Sequence, residues 1–381
     1  MRFPEFSGEW DSFKLVELGK FIGGGTPSSS NLSFWTGSIP WISSSDIKED
    51  NINNISISRY ITEDAIEKSA TKYCPAPVIL IVSRVGVGKV ALSHTSLCTS
   101  QDFCNIIDIK CHPVFLSYNL LRTMKRKSRE VQGTSIKGIT SDELQKIRVF
   151  IPKNKDEQNK ISNLLTLLDE RIATQNKIIE DLKKLKSAII EIEYSPKDSY
   201  HSHIGGAIVQ ISKRNKDNHL CNVLSVSNRQ GFIKQSEQFE DRNVASDDTS
   251  NYKIVEKNDF AYNPARINVG SIARLTKFET GIVSPMYICF RTKDCLLPEY
   301  LELFFESRNF FYHIQKRLEG SVRLCLSYEE LCNIPIVIPS IEKQKQVDLH
   351  LSKLAQKIDL EMKILQFVQQ QKTYLLHQMF I

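Results

Sequence analysis

The most constraining feature of the sequence is an internal repeat that involves both halves of the chain. The segment from Gly133 to Pro152 and the segment from Gly320 to Pro339 are identical at six of twenty aligned positions, and several other positions exchange similar residues. Each segment runs into a long stretch with heptad periodicity. Because repetition on this scale indicates copies of one folding unit, the sequence predicts two similar modules.

Both heptad stretches carry apolar residues at alternating spacings of four and three, which is typical of a coiled-coil seam. Every seam position recurs 186 residues later, including the polar pairs Gln175 with Glu361 and Lys186 with Lys372. The apolar seam consists of Ile161, Leu165, Leu168, Ile172, Ile179 and Leu182, and then of Val347, Leu351, Leu354, Ile358, Leu365 and Val368. Two helices of about 37 residues would each be roughly 55 Å long. The narrow apolar stripe favours antiparallel packing of the helices on each other over each helix covering its own domain.

The fold class predicted from these patterns is α+β, with two mixed α/β globular domains separated by two long helices that form an antiparallel coiled coil with a pseudo-twofold repeat. A chain of 381 residues fits two domains with connectors. The predicted segments are a first globular domain at 1–152, a central helical region at 153–194, a second globular domain at 195–339 and a C-terminal helical region at 340–381.

The repeat extends into the globular parts, but their early segments differ. Arg84 aligns with Arg266 and Gly88 aligns with Gly270, whereas the glycine-rich segment 21–27 has no counterpart in the second half. The pattern predicts a shared framework with different recognition surfaces.

Composition is compatible with a nucleic-acid partner without requiring one. The 50 basic and 44 acidic residues give a net charge of +6 and a pI near 8.7, which is mildly basic. The sequence contains no run of 18 apolar residues, so it predicts no membrane span. Its first residues lack the apolar segment of a signal peptide. Nine cysteines without CxxC spacing favour reduced thiols in a cytoplasmic protein.

Motifs that would indicate catalysis are incomplete. The segment Val85-Gly-Val-Gly-Lys lacks the first glycine and the final hydroxyl residue of a phosphate-binding loop. Asn263-Pro-Ala-Arg lacks the second proline and the aromatic residue of an amino-methyltransferase motif. Asp46-Ile-Lys and Asp108-Ile-Lys lack the upstream carboxylate of a metal nuclease. The sequence therefore predicts a chain that is not an enzyme and holds no metal.

The order and duplication of the motifs resemble the specificity (S) subunit of type I restriction–modification systems. Both helical regions are entered through an Ile-Pro segment, at Ile147–Pro152 followed by Glu157-Gln158 and at Ile334–Pro339 followed by Lys343-Gln344. The first domain also carries the family's Gly-Gly-x-Thr-Pro start at 23–27 and its Pro-Trp-Ile…Asp-Ile segment at 40–47. Lys343 departs from the expected glutamate, and the early part of the second domain belongs to a different variant type.

The resemblance implies a non-catalytic reader of double-stranded DNA, active in bacterial defence against foreign DNA. Each domain would read one half of a bipartite target, and the helices would set the unread spacer and dock two methyltransferase subunits. Restriction or translocase subunits would join the complex. No cofactor is expected on this chain, since S-adenosylmethionine, ATP and Mg²⁺ would belong to the partner subunits.

Candidate DNA-binding residues are polar or basic side chains in loops that follow strands, because base edges and phosphates are contacted by such groups. The candidates are Ser43, Ser44, Ser45, Arg84, Lys89 and Lys137 in the first domain, and Arg229, Lys234, Arg266, Asn268 and Arg323 in the second. The basic run 125–129 could contact phosphate or simply be solvated at a helix end.

Three other functions are compatible with the sequence. The chain could be the specificity subunit of a type IIB-like or methylation-only system, which the neighbouring genes would distinguish. It could be a scaffold that binds only proteins, which predicts no salt-dependent affinity for DNA. It could also be an enzyme with a concealed active site, which predicts modification of DNA by the purified chain alone.

Overall fold

The computed structural model describes residues 2–131, 138–195, 202–238, 248–320 and 324–380. The chain divides into two compact units, the first formed by Met1–Asn176 with Lys363–Ile381 and the second by Lys177–Met362. Both division points fall inside long helices, so each unit contains one part of each of them.

Among its described residues, the first unit contains ten strands with helices between them. Its strands are β1 (Asp11–Lys14), β2 (Lys20–Gly23), β3 (Ile39–Ile42), β4 (Arg59–Ile61), β5 (Tyr73–Cys74), β6 (Val78–Ile81), β7 (Val90–Ser93), β8 (Leu97–Thr99), β9 (Cys104–Ile107) and β10 (Arg148–Ile151). Its helices are α1 (Glu63–Glu67), α2 (Pro113–Val131), α3 (Ser141–Lys146) and the first part of α4 (Lys155–Glu193).

The second unit repeats this order along the chain. Its strands are β11 (Ser202–His203), β12 (Ile208–Ile211), β13 (Val223–Ser227), β14 (Gly231–Lys234), β15 (Lys253–Glu256), β16 (Phe260–Tyr262), β17 (Ile272–Arg274), β18 (Thr280–Val283), β19 (Ile288–Thr292) and β20 (Pro335–Ile336). Its helices are α5 (Ile204–Ala207), α6 (Gln235–Gln238), α7 (Pro298–Phe305), α8 (Arg308–Arg317), α9 (Tyr328–Cys332) and the first part of α10 (Ile341–Gln378).

Strand order is the same in the two units. The first has sheets of order β2-β9-β6-β7 and β4-β3-β8-β5 with the pair β1-β10. The second has β12-β19-β16-β17 and β14-β13-β18-β15 with the pair β11-β20. A parallel pairing also recurs, as β3 with β8 and β13 with β18. The repeat therefore includes the early segments, in which the sequence alone showed no similarity.

Continuous apolar runs place the central strands inside each unit. All four residues of β6 are buried, as are all four of β9, which is the pattern of strands covered on both faces. In the second unit the rings of Phe260 and Phe290 stack at 5.2 Å between centroids, which joins β16 to β19.

The predicted seam is present along both long helices. Each of its sixteen positions, twelve apolar and four polar, is buried or half-buried, while most intervening positions are exposed. In the first unit, Ile161 and Leu165 near the start of α4 share a core with Leu376 near the end of α10. In the second unit, Ile190 near the end of α4 shares a core with Val347 near the start of α10. The helices thus run antiparallel, as predicted.

The helix ends also belong to the globular cores. Ile161 and Leu165 pack in the same cluster as Phe115 and Leu121 of α2, and Ile190 packs in the same cluster as Tyr300 and Phe304. The prediction weighed helix pairing against coverage of the adjacent domain as alternatives. Both occur, because the seam residues at each helix end contact the partner helix and the sheet domain at once.

A glutamine fixes the start of each long helix at the same position of the repeat. Gln158 Nε2 donates to the Pro152 carbonyl at 2.8 Å, and Gln158 Oε1 accepts from the His112 amide at 3.1 Å. Gln344 makes the corresponding bonds to Pro339 at 2.9 Å and Leu297 at 2.8 Å. Both side chains are buried, and their hydrogen bonds connect α4 to the start of α2 and α10 to the start of α7. We call Gln158 and Gln344, with these bonds, the glutamine clamps.

The preceding residues of the two helices differ. Glu157 is buried and accepts hydrogen bonds from Arg2 at 2.6 and 2.7 Å and from Trp10 at 3.2 Å. Lys343, which stands at the equivalent position, is exposed and lies 3.7 Å from Glu193. The departure noted in the sequence therefore exchanges a buried acceptor for a surface cation and leaves the neighbouring glutamine clamp intact.

Candidate nucleic-acid interface

The predicted serines of the first unit lie at the start of the β3–β4 connection. Ser43 begins a short 3₁₀ turn, and its amide and hydroxyl both donate to Asp46, at 2.7 and 3.0 Å. Ser43 Oγ and Ser45 Oγ are 2.8 Å apart. The turn thus holds the hydroxyl groups in a fixed arrangement, with Ser45 exposed.

Arg59 joins this turn, although no sequence pattern singled it out. Its Nη2 donates to Ser43 Oγ at 2.7 Å and forms an ion pair with Asp46. Its guanidinium lies 4.5 Å from the centroid of the Trp41 ring, a cation–π arrangement. The side chain is 39% exposed, so its remaining donors face solvent beside the serines. The arginine in strand β4 could be found only from the pairing of β4 with β3.

The β6–β7 loop brings the predicted basic residues to the same place. Lys89 Nζ donates to the Ser44 carbonyl at 3.1 Å, which ties this loop to the serine turn. Arg84 is exposed in the same loop. Gly86 and Gly88 adopt φ values of +87° and +112°, and glycine accommodates this left-handed region without strain. Five of the six candidates of this unit therefore lie on two adjoining loops, while Lys137 lies outside the described residues.

The glycine-rich motif at the start of the first domain packs against Trp41, which precedes the serine turn. Trp41 Nε1 donates to the Gly25 carbonyl at 3.0 Å, and the Gly25 amide donates to the Thr99 carbonyl at 2.8 Å. A Cβ on Gly24 would collide with the Ser100 carbonyl oxygen. The glycines are thus sites of close backbone approach, and the two family motifs of the first domain are in contact.

The corresponding two loops of the second unit also adjoin each other. Arg266 and Asn268 are exposed in the β16–β17 loop, and Arg229 is exposed in the β13–β14 turn. A Cβ on Gly270 would lie 3.7 Å from the Asn228 side chain, and Ser271 Oγ donates to the Val226 carbonyl at 3.1 Å. These three candidates are therefore brought together, in the same two connections as in the first unit.

Two other candidates of the second unit are not part of this group. Lys234 is exposed at the end of β14 that is remote from the turn, paired with Leu224. Three residues of the strand separate it from the turn, about 10 Å at the strand rise. Arg323 lies outside the described residues.

A polar groove of about 470 Å³ follows these loops in the second unit. It includes Arg266, and its other polar side chains were not selected from the sequence. These are Ser225, Ser227, Asn228, Gln235, Tyr252, Asn263, Ser271, Ser284 and Tyr287. Amide and hydroxyl groups are suited to base edges. The alternation of polar and apolar residues along β13 could have indicated Ser225 and Ser227. Gln235 and Ser284 approach these serines only because of the order of strands in the sheet.

Segments that resembled fragments of catalytic motifs have structural roles. Val85–Lys89 connects two antiparallel strands, unlike the strand-to-helix connection of a phosphate loop. Asn263 Oδ1 accepts from the Ala265 amide at 3.1 Å and so shapes its loop.

Burial raises the pKa of Cys74 to about 11, which keeps this thiol protonated. Within the described ranges, no three His, Cys, Asp or Glu side chains form a group that could hold a metal ion.

A helix that crosses a bilayer must be both long and apolar. Among the residues that the structure describes, no helix combines the two properties to the extent that crossing a membrane requires.

Comparison with known proteins shows what the first unit resembles in sequence. Residues 7–184 match the model of the type I restriction modification DNA specificity domain. The chain is 32% identical over 200 residues to the type I restriction enzyme MjaIX specificity subunit of Methanocaldococcus jannaschii, a match that covers 49% of this chain and 45% of that protein. It is 33% identical over 192 residues to the EcoR124I/EcoR124II specificity subunit of Escherichia coli, covering 48% and 46%.

Solved structures extend the likeness to the whole fold. The type I restriction-modification S subunit from M. genitalium matches with a TM-score of 0.59 at 16% identity, over 100% of this chain and 99% of that one. A chain from a structure on complex assembly and conformational transition of the type I R-M system matches with a TM-score of 0.60 at 13% identity, over 98% of both. At such identities the likeness concerns the fold alone.

The domain match and the likeness in fold are both to specificity subunits of type I restriction–modification systems. Residues 7–184 resemble the type I restriction modification DNA specificity domain, and the resemblance predicted from the sequence is confirmed. The sequence match spans less than half of the length of these curated relatives.

Proposed function

We propose that this chain is the sequence-specific DNA-recognition subunit of a type I restriction–modification complex, and that each unit reads one half of a bipartite target. The observation that supports this most is the recurrence of one strand order with two adjoining loops in each unit. Those loops carry serines and Lys89 in the first unit and Arg229, Arg266 and Asn268 in the second. A common framework with different polar side chains is what reading two different half-sites requires.

The two long helices have a separate role in this proposal. They set the length of the unread spacer and dock two methyltransferase subunits, with restriction or translocase subunits joining the complex. The chain itself is non-catalytic. S-adenosylmethionine, ATP and Mg²⁺ would act in those partner subunits.

The proposal is tested by sequencing the methylome of cells that carry this gene with its neighbours. A bipartite motif with a fixed unread spacer is expected. The double variant Arg266→Ala/Asn268→Ala should relax or remove one half of that motif, because each lost bidentate base contact costs about 1–3 kcal/mol. Arg84→Ala/Lys89→Ala should affect only the other half, and so serves as the reciprocal control.

Three results would contradict the proposal in different ways. A motif without two halves, or loss of both halves in either double variant, would refute independent reading by two units. DNA modification by the purified chain with S-adenosylmethionine or Mg²⁺ alone would indicate an enzyme. Absence of salt-dependent DNA affinity would indicate a protein-binding scaffold, because phosphate contacts impose a steep salt dependence.

A further inference from the structure

We call the β3–β4 and β6–β7 connections of the first unit its reading loops. A second concave surface lies within this unit, outside the two reading loops. It is a groove of about 470 Å³ between α2, β10 and the last turns of α10. Its floor is apolar, formed by Val149, Phe150 and Leu376. Its remaining lining is dominated by the basic residues Arg122, Lys125, Arg126, Arg129 and Arg148, together with His377. We call this surface the basic groove.

Charge in the basic groove is poorly balanced. None of the residues that line it in the described structure is an aspartate or glutamate. Lys125 forms an ion pair with Asp50, and Arg148 donates to Ser12 Oγ at 3.2 Å. Arg126 and Arg129 are exposed, and neither forms an ion pair with a carboxylate of the described residues. The charges of Arg126 and Arg129 add to the positive potential of the groove, which an anion bound there would offset.

The titration of His377 responds to the same field. Its pKa is lowered from the ordinary value, first by burial and then by the positive charges of Arg122, Arg129 and Lys125. A positive charge on the imidazole is thus disfavoured, as expected in a region of positive potential.

The basic groove adjoins the reading loops of the same unit through α2. A Cβ on Gly88, in the β6–β7 loop, would lie 3.2 Å from the Ser128 side chain in the last turns of α2. On the neighbouring face of the helix, Lys125 pairs with Asp50 of the β3–β4 connection. A polyanion bound at the two reading loops therefore passes beside this helix.

We propose that the basic groove binds phosphates of the DNA backbone next to the bases read by the first unit, through Arg126 and Arg129 with Arg122 and Arg148. This inference rests on the proposed function. Residues 122 to 129 span about 10 Å along a helix, which matches about three successive phosphates at roughly 3.4 Å of axial rise per strand. Such contacts strengthen binding without selecting bases.

The test is the salt dependence of DNA binding by the full chain. The variant Arg126→Gln/Arg129→Gln is compared with the wild type on a fluorescent duplex of mixed sequence and on a duplex carrying the methylated motif. The matched control is Arg171→Gln/Lys183→Gln, which removes two exposed charges from α4. Loss of two phosphate contacts should reduce the magnitude of the slope of log K against log salt by about 1.8. The affinities for both duplexes should fall by the same factor, and the control should retain the wild-type slope.

Each other outcome contradicts the inference. An unchanged slope with weakened assembly of the methyltransferase subunits would assign the basic groove to an acidic protein partner. An unchanged slope with normal assembly would leave it as surplus surface charge. A loss confined to the motif duplex would make these residues base readers. If the wild type itself binds DNA without salt dependence, the proposed function fails before the groove is tested.

Discussion

The two units contain a lysine at the same position of the helical repeat, yet they hold it differently. In the first unit, Lys372 forms a buried ion pair with Asp169, and the two side chains are 6% and 4% exposed. Asp169 also accepts from the Tyr118 hydroxyl at 2.7 Å. In the second unit, Lys186 pairs with Glu306 at 2.6 Å, where the side chains are 23% and 47% exposed.

This contrast shows which features the repeat preserves. Strand order, the glutamine clamps and the seam recur in both units, because they determine the fold of each copy. The partners of the two seam lysines differ. Each lysine pairs with a carboxylate from the element that packs against it, and this element is not the same in the two units. The position equivalent to Asp169 in the second helix is Ala355, so Lys186 takes its partner from the residue that follows α7.

The largest expected effect is on the buried pair. Lys372→Met should destabilise the protein by about 3–5 kcal/mol, because the Asp169 carboxylate is left buried without its cation. Lys186→Met should cost less than about 1 kcal/mol, because Glu306 remains solvated. Urea unfolding of both variants measures the difference.

A second substitution separates burial from lost packing at this pair. The double variant Lys372→Met/Asp169→Leu should recover much of the stability, since hydrophobic replacement of a whole buried pair is often tolerated. Equal destabilisation by the two single lysine variants would mean that the units hold their lysines alike, contrary to the observed burial.

The glutamine clamps should be of similar strength in the two units. Gln158→Ala and Gln344→Ala each leave buried backbone groups without partners, at a cost of about 1–3 kcal/mol. Gln344 also donates to the Cys295 carbonyl at 3.0 Å, so its replacement should be the more damaging. Calorimetry on both variants, with the exposed Gln346→Ala as the control, checks this order. A negligible effect at either clamp would contradict the repeat at the helix entry.

The smallest expected effect concerns His377 of the basic groove, whose position in the repeat is taken by Glu191 in the second unit. Arg129→Gln removes one of the charges that lower the His377 pKa, so that pKa should rise towards its ordinary value. NMR titration of the imidazole measures the change, and Lys183→Gln serves as the control. An unchanged pKa would mean that the charge of Arg129 does not contribute to the shift.

The sequence predicted the seam and the duplicated helix entry well, because both depend on local spacing. A heptad can be read from Ile161 to Leu182 without knowing what packs against it. The shared strand order of the early segments could not be predicted, since β3 and β13 have little sequence similarity and pair with strands far away in the chain. Similarity of pairing survives there because many apolar residues satisfy the same buried strand position.

For the candidate site, the sequence indicated which loops carry polar residues better than it indicated which individual side chains lie together. Arg84, Lys89, Arg266 and Asn268 are predicted as polar or basic side chains in a loop that follows a strand, and the structure places this loop beside the second loop of each unit. Arg59 was missed because its contact with Ser43 depends on the pairing of β3 with β4. Lys234 was selected for its charge, but the strand carries it away from the turn.

The central claim is that the paired helices fix the separation of two half-sites that are read independently, and a matched deletion tests it most directly. Removing residues 173–179 and 361–367 takes one heptad from each helix, about 10 Å of length, and rotates the remainder of each helix very little. Methylome sequencing of cells with this variant should show both half-sequences unchanged and an unread spacer shortened by no more than about three base pairs. An unaltered spacer, or altered half-sequences, would contradict the account.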